Sequence, residues 1–214
     1  MGDFLYYIGE NQTYSYVKYM LANSCMPTLL GVKPSCMITV NKKYIENKQE
    51  FLKFLVLELE QFECEYSLIH EEEQSYTLFL YNPEVMNKTL MKEENKELLI
   101  HYGYDFNNHI LTETIHRLKN RYVAYKSKKS EFPHELGILL GYPIEDVIDY
   151  IKNDGKNYKS CGYWKVYHNV EQAEKMFEFF RLVREDAMRI ISTRKNLLDI
   201  KASYSSLNEY AMVC

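Results

Sequence analysis

The chain has 214 residues, 46% hydrophobic and 26% charged, with a net charge of −4 and a pI near 5.9. That length buries a core as one domain without disulfides or metal, and the acidic balance gives no global electrostatic case for nucleic acid. No stretch approaches the roughly 20 apolar residues of a membrane helix, MGDFLYYIGE lacks a signal-peptide pattern, and Tyr6 stands where myristoylation wants Ser or Thr; the expectation is a soluble cytoplasmic protein with no membrane partner.

Tyr14 to Asn23 reads as a first helix, stopped at Cys25-Met26-Pro27 because Pro27 disfavours helical geometry in the residue before it. Ser35 to Asn41 (SCMITVN) has the β-branched character of a strand. From Lys48 to Phe62, the residues Phe51, Leu52, Leu55, Leu59 and Phe62 recur at three and four and line one face of a helix. Tyr66 to His70 and Tyr76 to Tyr81, separated by the polar EEEQS, make an antiparallel hairpin that Asn82-Pro83 ends. Pro83 to Tyr102 then reads as one helix ending near Gly103, and Asn108 to Tyr125 as a second with Leu111, Ile115, Leu118 and Tyr122 inward. An exposed KSKKS linker leads to a brief helix opened by Phe132-Pro133 and closed by Gly141; Pro143 starts another, ended by Asp154-Gly155.

Cys161 to Tyr167 (CGYWKVY) alternates like a late strand returning to the sheet. Asn169 suits the N-cap of the longest helix, Glu171 to Leu198, whose apolar positions keep helical spacing. The sum is a single α+β domain over residues 1–200: a small mixed or antiparallel sheet of about four strands, covered by several helices, with a long C-terminal helix and a mobile tail at 201–214.

Two blocks carry a family resemblance. CMPTLLGVKP, from Cys25 to Pro34, is similar to a CAPTLAGxKP-type segment; FPHELGILLGYPIEDVIDYI, from Phe132 to Ile151, continues through GKNYKSCGYWKVY, from Gly155 to Tyr167. Together they resemble domain of unknown function 3793, a family found mainly in anaerobic Gram-positive bacteria. The resemblance brings no established reaction; its members stand beside flavodoxin and iron-uptake genes, which implies an iron or redox setting. Ser24 departs from the pattern, preceding Cys25 where many relatives have His, so a His-Cys pair is incomplete here.

Cys25, Cys36, Cys64, Cys161 and Cys214 are odd in number and never form CxxC, which favours reduced thiols over a disulfide framework or a zinc ribbon. Cys25 and Lys33 flank a connector in which an ammonium would activate a thiol nucleophile; a small buried hydrophobe is the alternative. His134-Glu135, at a helix start, offers an acid–base residue with its orienter, or a structural cap; LGIL follows, so this is not a HExxH zinc helix. Lys159, Cys161, Gly162, Tyr163, Trp164, Lys165 and Tyr167 concentrate cations, aromatics and a thiol. They suit an anion-binding loop whose glycines admit a phosphate, an aromatic surface for a flat ligand, or a strand with a core Trp and Tyr163, Lys165 and Tyr167 together on the other side. This segment is the first choice for a ligand-binding site, with Lys33 and Glu135 as further contributors.

His109, Glu113 and His116 fall at i, i+4 and i+7 on one helix face, as part of a metal centre or a solvated surface. Lys119, Arg121, Lys126, Lys128 and Lys129 with Tyr122 and Tyr125 form a basic, aromatic-studded strip suited to phosphate backbones, or simply helix-end and linker charge. The common nucleotide, hydrolase and zinc signatures are absent. The leading expectation is therefore a module that binds a small molecule, metal or protein partner in an iron or redox context, with no cofactor identified. The alternatives are an enzyme with Cys25 or Cys161 as nucleophile and His134 as base, and an RNA contact through the basic strip.

Overall fold

The computed structural model describes residues 11–106 and 109–204. Its architecture follows from Ser75–Tyr81 (β3), a nearly continuous apolar run that pairs antiparallel with Ser35–Asn41 (β1) on one side and Glu65–Glu71 (β2) on the other. Successive side chains on a strand point to opposite faces, so Tyr76, Leu78 and Leu80 enter one core while Phe79 and Tyr81 enter another. A strand apolar on both faces gains most from burial on both, and here helices cover each side of the sheet.

The first core lies under Gln12–Ser24 (α1), Met26–Leu29 (α2), Lys48–Glu60 (α3) and the inner face of the long Val170–Ser192 helix. Asn11 and Asn47 cap α1 and α3 by accepting backbone N–H bonds, and Phe51, Leu55 and Leu59 form the buried stripe that their spacing predicts. The second core gathers Pro83–Leu90 (α4), Glu93–His101 (α5), Ile110–Lys126 (α6), Leu136–Leu139 (α7) and Ile144–Lys152 (α8). The chain then makes a hairpin of Ser160–Cys161 (β4) and Lys165–Val166 (β5), followed by Val170–Ser192 (α9) and Ile200–Ser203 (α10). Among the described residues no helix is long and apolar enough to cross a membrane.

The α+β class, the antiparallel sheet and the long helix stand as expected, with differences in detail. The stretch from Pro83 to Tyr102 is two helices, interrupted where Lys92 is extended. Leu90 and Leu99 both enter the second core, yet at about 3.6 residues per turn one uninterrupted helix would set them on opposite sides. Cys161 to Tyr167 does not return to the sheet: the Gly162 N–H bonds to Trp164 O at 3.0 Å and reverses the chain, so the alternation spans a separate hairpin. The long helix stops at Ser192, after which Leu197 and Ile200 fold back into the first core. Residues 201–203 of the expected tail are thus helical, residues 205–214 lie outside the described residues, and so does the expected helix start at Asn108. Asn169 precedes α9 in a left-handed conformation without a side-chain cap bond.

Among the described residues four tyrosine hydroxyls donate to carboxylates: Tyr14 to Glu58 (2.7 Å), Tyr81 to Glu65 (2.6 Å), Tyr104 to Glu135 (3.1 Å) and Tyr204 to Asp186 (2.7 Å). Burial first, and the neighbouring carboxylate second, push each phenol well above its ordinary range. A raised folded-state pKa gives stability that is fully present below about pH 10 and is lost as pH climbs toward the folded values. In an alkaline titration, a distinct fraction of the phenolate absorbance should appear together with the loss of helical circular dichroism. Complete tyrosine ionisation with the dichroism unchanged would contradict this.

Candidate functional site

The segment from Phe132 to His168 folds on itself. Leu136–Leu139 ends at Gly141, whose φ of +76° is readily available only to glycine and whose missing Cβ would meet Pro34. Pro143 then fixes the entry to α8, and Asp146 and Tyr150, one turn apart, are both set toward the β4–β5 hairpin.

The hairpin has only a two-residue ladder, and side chains supply much of its anchorage. Asp146, 3% exposed, accepts from the Trp164 indole N–H (2.8 Å) with one oxygen and from the backbone N–H of Tyr167 (2.8 Å) and His168 (2.9 Å) with the other. His168 also meets Asp149 at 2.7 Å, and the Lys165 ammonium donates to Gly155 O at 2.7 Å. The far side packs on α9: the Trp164 and Tyr163 rings meet Phe177 edge-on and tilted at 4.5 and 5.7 Å, and any Cβ on Gly162 would overlap the Phe177 ring. Gly162 therefore brings the hairpin against an aromatic ring, which replaces the expectation that it admits a phosphate.

Between α7, α8 and the hairpin lies a cleft of about 360 Å³. Its walls include Phe132, Tyr142, Tyr150, Tyr163 and Trp164, and His134, Cys161 and Lys165 also face it. His134 sits 5.4 Å, centroid to centroid, from both Phe132 and Tyr150; Lys165 lies over the rings of Tyr150 and Tyr158. Burial pushes the Tyr142 phenol up to about 12 and raises Tyr163, so both stay neutral at physiological pH. Tyr142, Asp146 and Trp164 also border a second cleft of about 370 Å³, on the side of α4, α5 and the start of α9.

Of the residues singled out in the sequence, His134, Cys161, Tyr163, Trp164 and Lys165 share the cleft. Lys33 approaches it from behind, its ammonium 5.6 Å from the Tyr142 ring centre. Cys25 is fully buried in the first core, where its thiol donates to Met20 O at 3.9 Å, and the neighbouring Cys36 together with burial pushes its pKa up. Glu135 occupies the N-cap position of α7, but its buried carboxylate pairs with Arg121 and accepts from Tyr104, so the side chain neither orients His134 nor caps the helix. Lys159 is exposed and joins the hairpin through its backbone N–H to Val166 O. Tyr163, Lys165 and Tyr167 do not form one surface, because Tyr163 packs on α9, Lys165 lies over Tyr150, and Tyr167 is buried. His109, Glu113 and His116 are exposed on or beside α6, and among the described residues no three His, Cys, Asp or Glu side chains gather as a metal-binding group. In the basic strip Arg121 and Lys126 are taken up by Glu135 and Glu72.

Asp146, Tyr142 and Tyr150 were not predicted. Two acids in the first turn of a helix read as ordinary dipole complements, and nothing local distinguishes Asp146 from Glu145. The pairing of Asp146 with Trp164 depends on the turn between them.

Residues 21–201 match the family model described as Protein of unknown function (DUF3793). No curated protein matches the chain, and no solved structure does.

Replacing Asp146 by Ala strands three N–H donors, and hydrogen bonds to a charged acceptor are worth enough that the expected loss is about 3 kcal/mol in urea unfolding. The emission of Trp164, the single tryptophan, should also move to longer wavelength as the indole is wetted. Unchanged stability and emission would show that the hairpin is held by something else.

Proposed function

The chain belongs to the DUF3793 family, and we propose that it is a binding module for a flat, largely apolar small molecule carrying one anionic group, seated in the cleft between α8 and the β4–β5 hairpin. The observation that carries this reading is the gathering of Tyr142, Tyr150, Tyr163 and Trp164 around one space that also receives Lys165 and His134. Aromatic walls with a few convergent polar groups, enclosing a few hundred cubic ångströms, are the common form of a small-molecule site. The Lys165 ammonium has three donors, of which Gly155 O engages one, and it lies over the rings of Tyr150 and Tyr158 as the anchor for the anionic group. Asp146 faces the same space but is occupied by its three N–H partners, so it does not repel an anion as an open carboxylate would.

A second reading, a thiol enzyme, draws on one observation: Cys161 and His134 border the same cleft. Alkylation of Cys161 by iodoacetamide no faster than that of free cysteine would set it aside. The RNA reading loses support from the ion pairs that occupy Arg121 and Lys126.

Anilinonaphthalene sulfonate is a suitable probe, being aromatic and anionic and able to accept energy from Trp164. It should bind the native protein with one-site saturation and quench Trp164. Lys165→Met, which keeps the apolar stem, should weaken binding about ten-fold, or about 1.4 kcal/mol. Lys159→Met, exposed and outside the cleft, should leave binding unchanged. Equal binding to the parent and Lys165→Met, without quenching, would overturn the assignment.

A further inference from the structure

His134 stands in the wall of the cleft, and among the described residues no hydrogen bond engages either of its ring nitrogens. Its imidazole lies between Phe132 and Tyr150, 5.4 Å from each, centre to centre. Those two rings are themselves held: Phe132 meets Tyr125 edge-on at 5.2 Å, and Tyr150 packs so closely on Gly155 that a Cβ there would lie 3.1 Å from its ring. The next residue is fixed as well, because Arg121 and Tyr104 bind the Glu135 carboxylate. The side chain is half-buried, so the open cleft leaves its nitrogens to solvent.

The other polar groups of the wall are engaged or look elsewhere. Asp146 is occupied by its three N–H donors, and the Tyr150 hydroxyl lies against Gly155. Tyr142 borders the second cleft too, and Tyr163 the outer side of α9. Lys165 and His134 remain, flanking one ring: the ammonium is 5.6 Å and the imidazole centre 5.4 Å from the Tyr150 centroid, so the two are at most 11 Å apart.

Any molecule that fills this space displaces water from His134. Under a purely apolar surface the nitrogens would lose solvent and gain nothing, and a buried polar group left without a partner weakens binding. A ligand suited to the cleft therefore brings a hydrogen-bonding group to that point.

We propose that the ligand class is a hydroxyaryl acid: a planar aromatic body with its anionic group at Lys165 and, at the other end, a hydroxyl that bonds to His134. This class presupposes the binding site proposed above and narrows what fills it. A hydroxyl fits because it both donates and accepts and so meets an imidazole in either tautomer, whereas a carbonyl serves only the nitrogen that carries a proton. A fused pair of rings substituted at its two ends has the length to reach both side chains. Lys165 then selects for charge and His134 for the hydroxyl.

Titration calorimetry of the full chain with 6-hydroxy-2-naphthoate and 2-naphthoate, which differ by that one oxygen, tests the assignment. The hydroxylated acid should bind about ten-fold tighter, as one added hydrogen bond provides. In His134→Phe, which keeps a ring between Phe132 and Tyr150, the two acids should bind alike, and 2-naphthoate should bind no more weakly than to the parent. Lys165→Met should weaken both acids by the same factor. Should His134→Phe not fold, the ratio of affinities on the parent decides the matter. Equal affinities on the parent, or a preference that survives in His134→Phe, would overturn the assignment and leave the cleft as a site for flat anions. Binding of anilinonaphthalene sulfonate but of neither acid would do the same; binding of none of the three would overturn the site itself.

Discussion

Asp146 is a carboxylate taken almost wholly out of water, and the hairpin with the two residues that follow it supplies the three N–H donors that make this tolerable. An unpaired buried carboxylate costs several kcal/mol, whereas one accepting three N–H bonds recovers most of that cost. The dependence runs both ways. A two-residue ladder fixes little by itself, so the hairpin takes its position from the carboxylate, and the carboxylate is stable only with the hairpin in place. Trp164 is held by its N–H to Asp146, by its stack on Tyr142 and by its edge contact with Phe177, which orients the ring that divides the two clefts. The cleft's shape is therefore a consequence of one satisfied charge.

Above that local arrangement stands β3, which serves two cores at once. Leu78 and Leu80 belong to the layer of α1, α3 and α9, Phe79 and Tyr81 to the layer of α4 through α8. A shift of one residue in its register would exchange these sets and put the wrong volumes into both cores, so the sheet has little freedom to slip. Neither layer is independent of the other. Ser35 at the start of β1 donates to Leu139 O at 2.6 Å, tying α7 to the sheet, and Lys33 crosses to the rings of Tyr142 and Phe180.

What could be read in advance follows the range of the interactions. The strand at Ser35–Asn41, the hairpin of β2 and β3 and the apolar stripe of α3 are set by periodicities of two and 3.6 over a few residues, and they appear where the pattern puts them. The break after Met91 was illegible because it exists to turn Leu90 and Leu99 into one core, a requirement of the second core rather than of the helix. The hairpin at Trp164 was not legible because alternation is equally compatible with a strand and with two short strands around a turn. The cluster of His134, Cys161, Tyr163, Trp164 and Lys165 was legible as composition, since its members lie within one continuous block. Glu135 was not, because its partners Arg121 and Tyr104 arrive from other elements.

This division also says where the site tolerates change. The walls of the cleft come from one stretch of chain, but their supports are remote: Pro34 against Gly141, Phe177 against Gly162, Lys33 against Tyr142. A side chain exchanged in the wall alters what the cleft can hold while the supports remain. A side chain added at Gly162 would drive the hairpin off Phe177, pull Trp164 from Asp146 and open the cleft to its neighbour. Residues with the least chemistry thus set the geometry in which Lys165, His134 and the aromatic rings face one space. That is the physical reason a list of reactive side chains, taken from the sequence, names the contents of the cleft without describing its form.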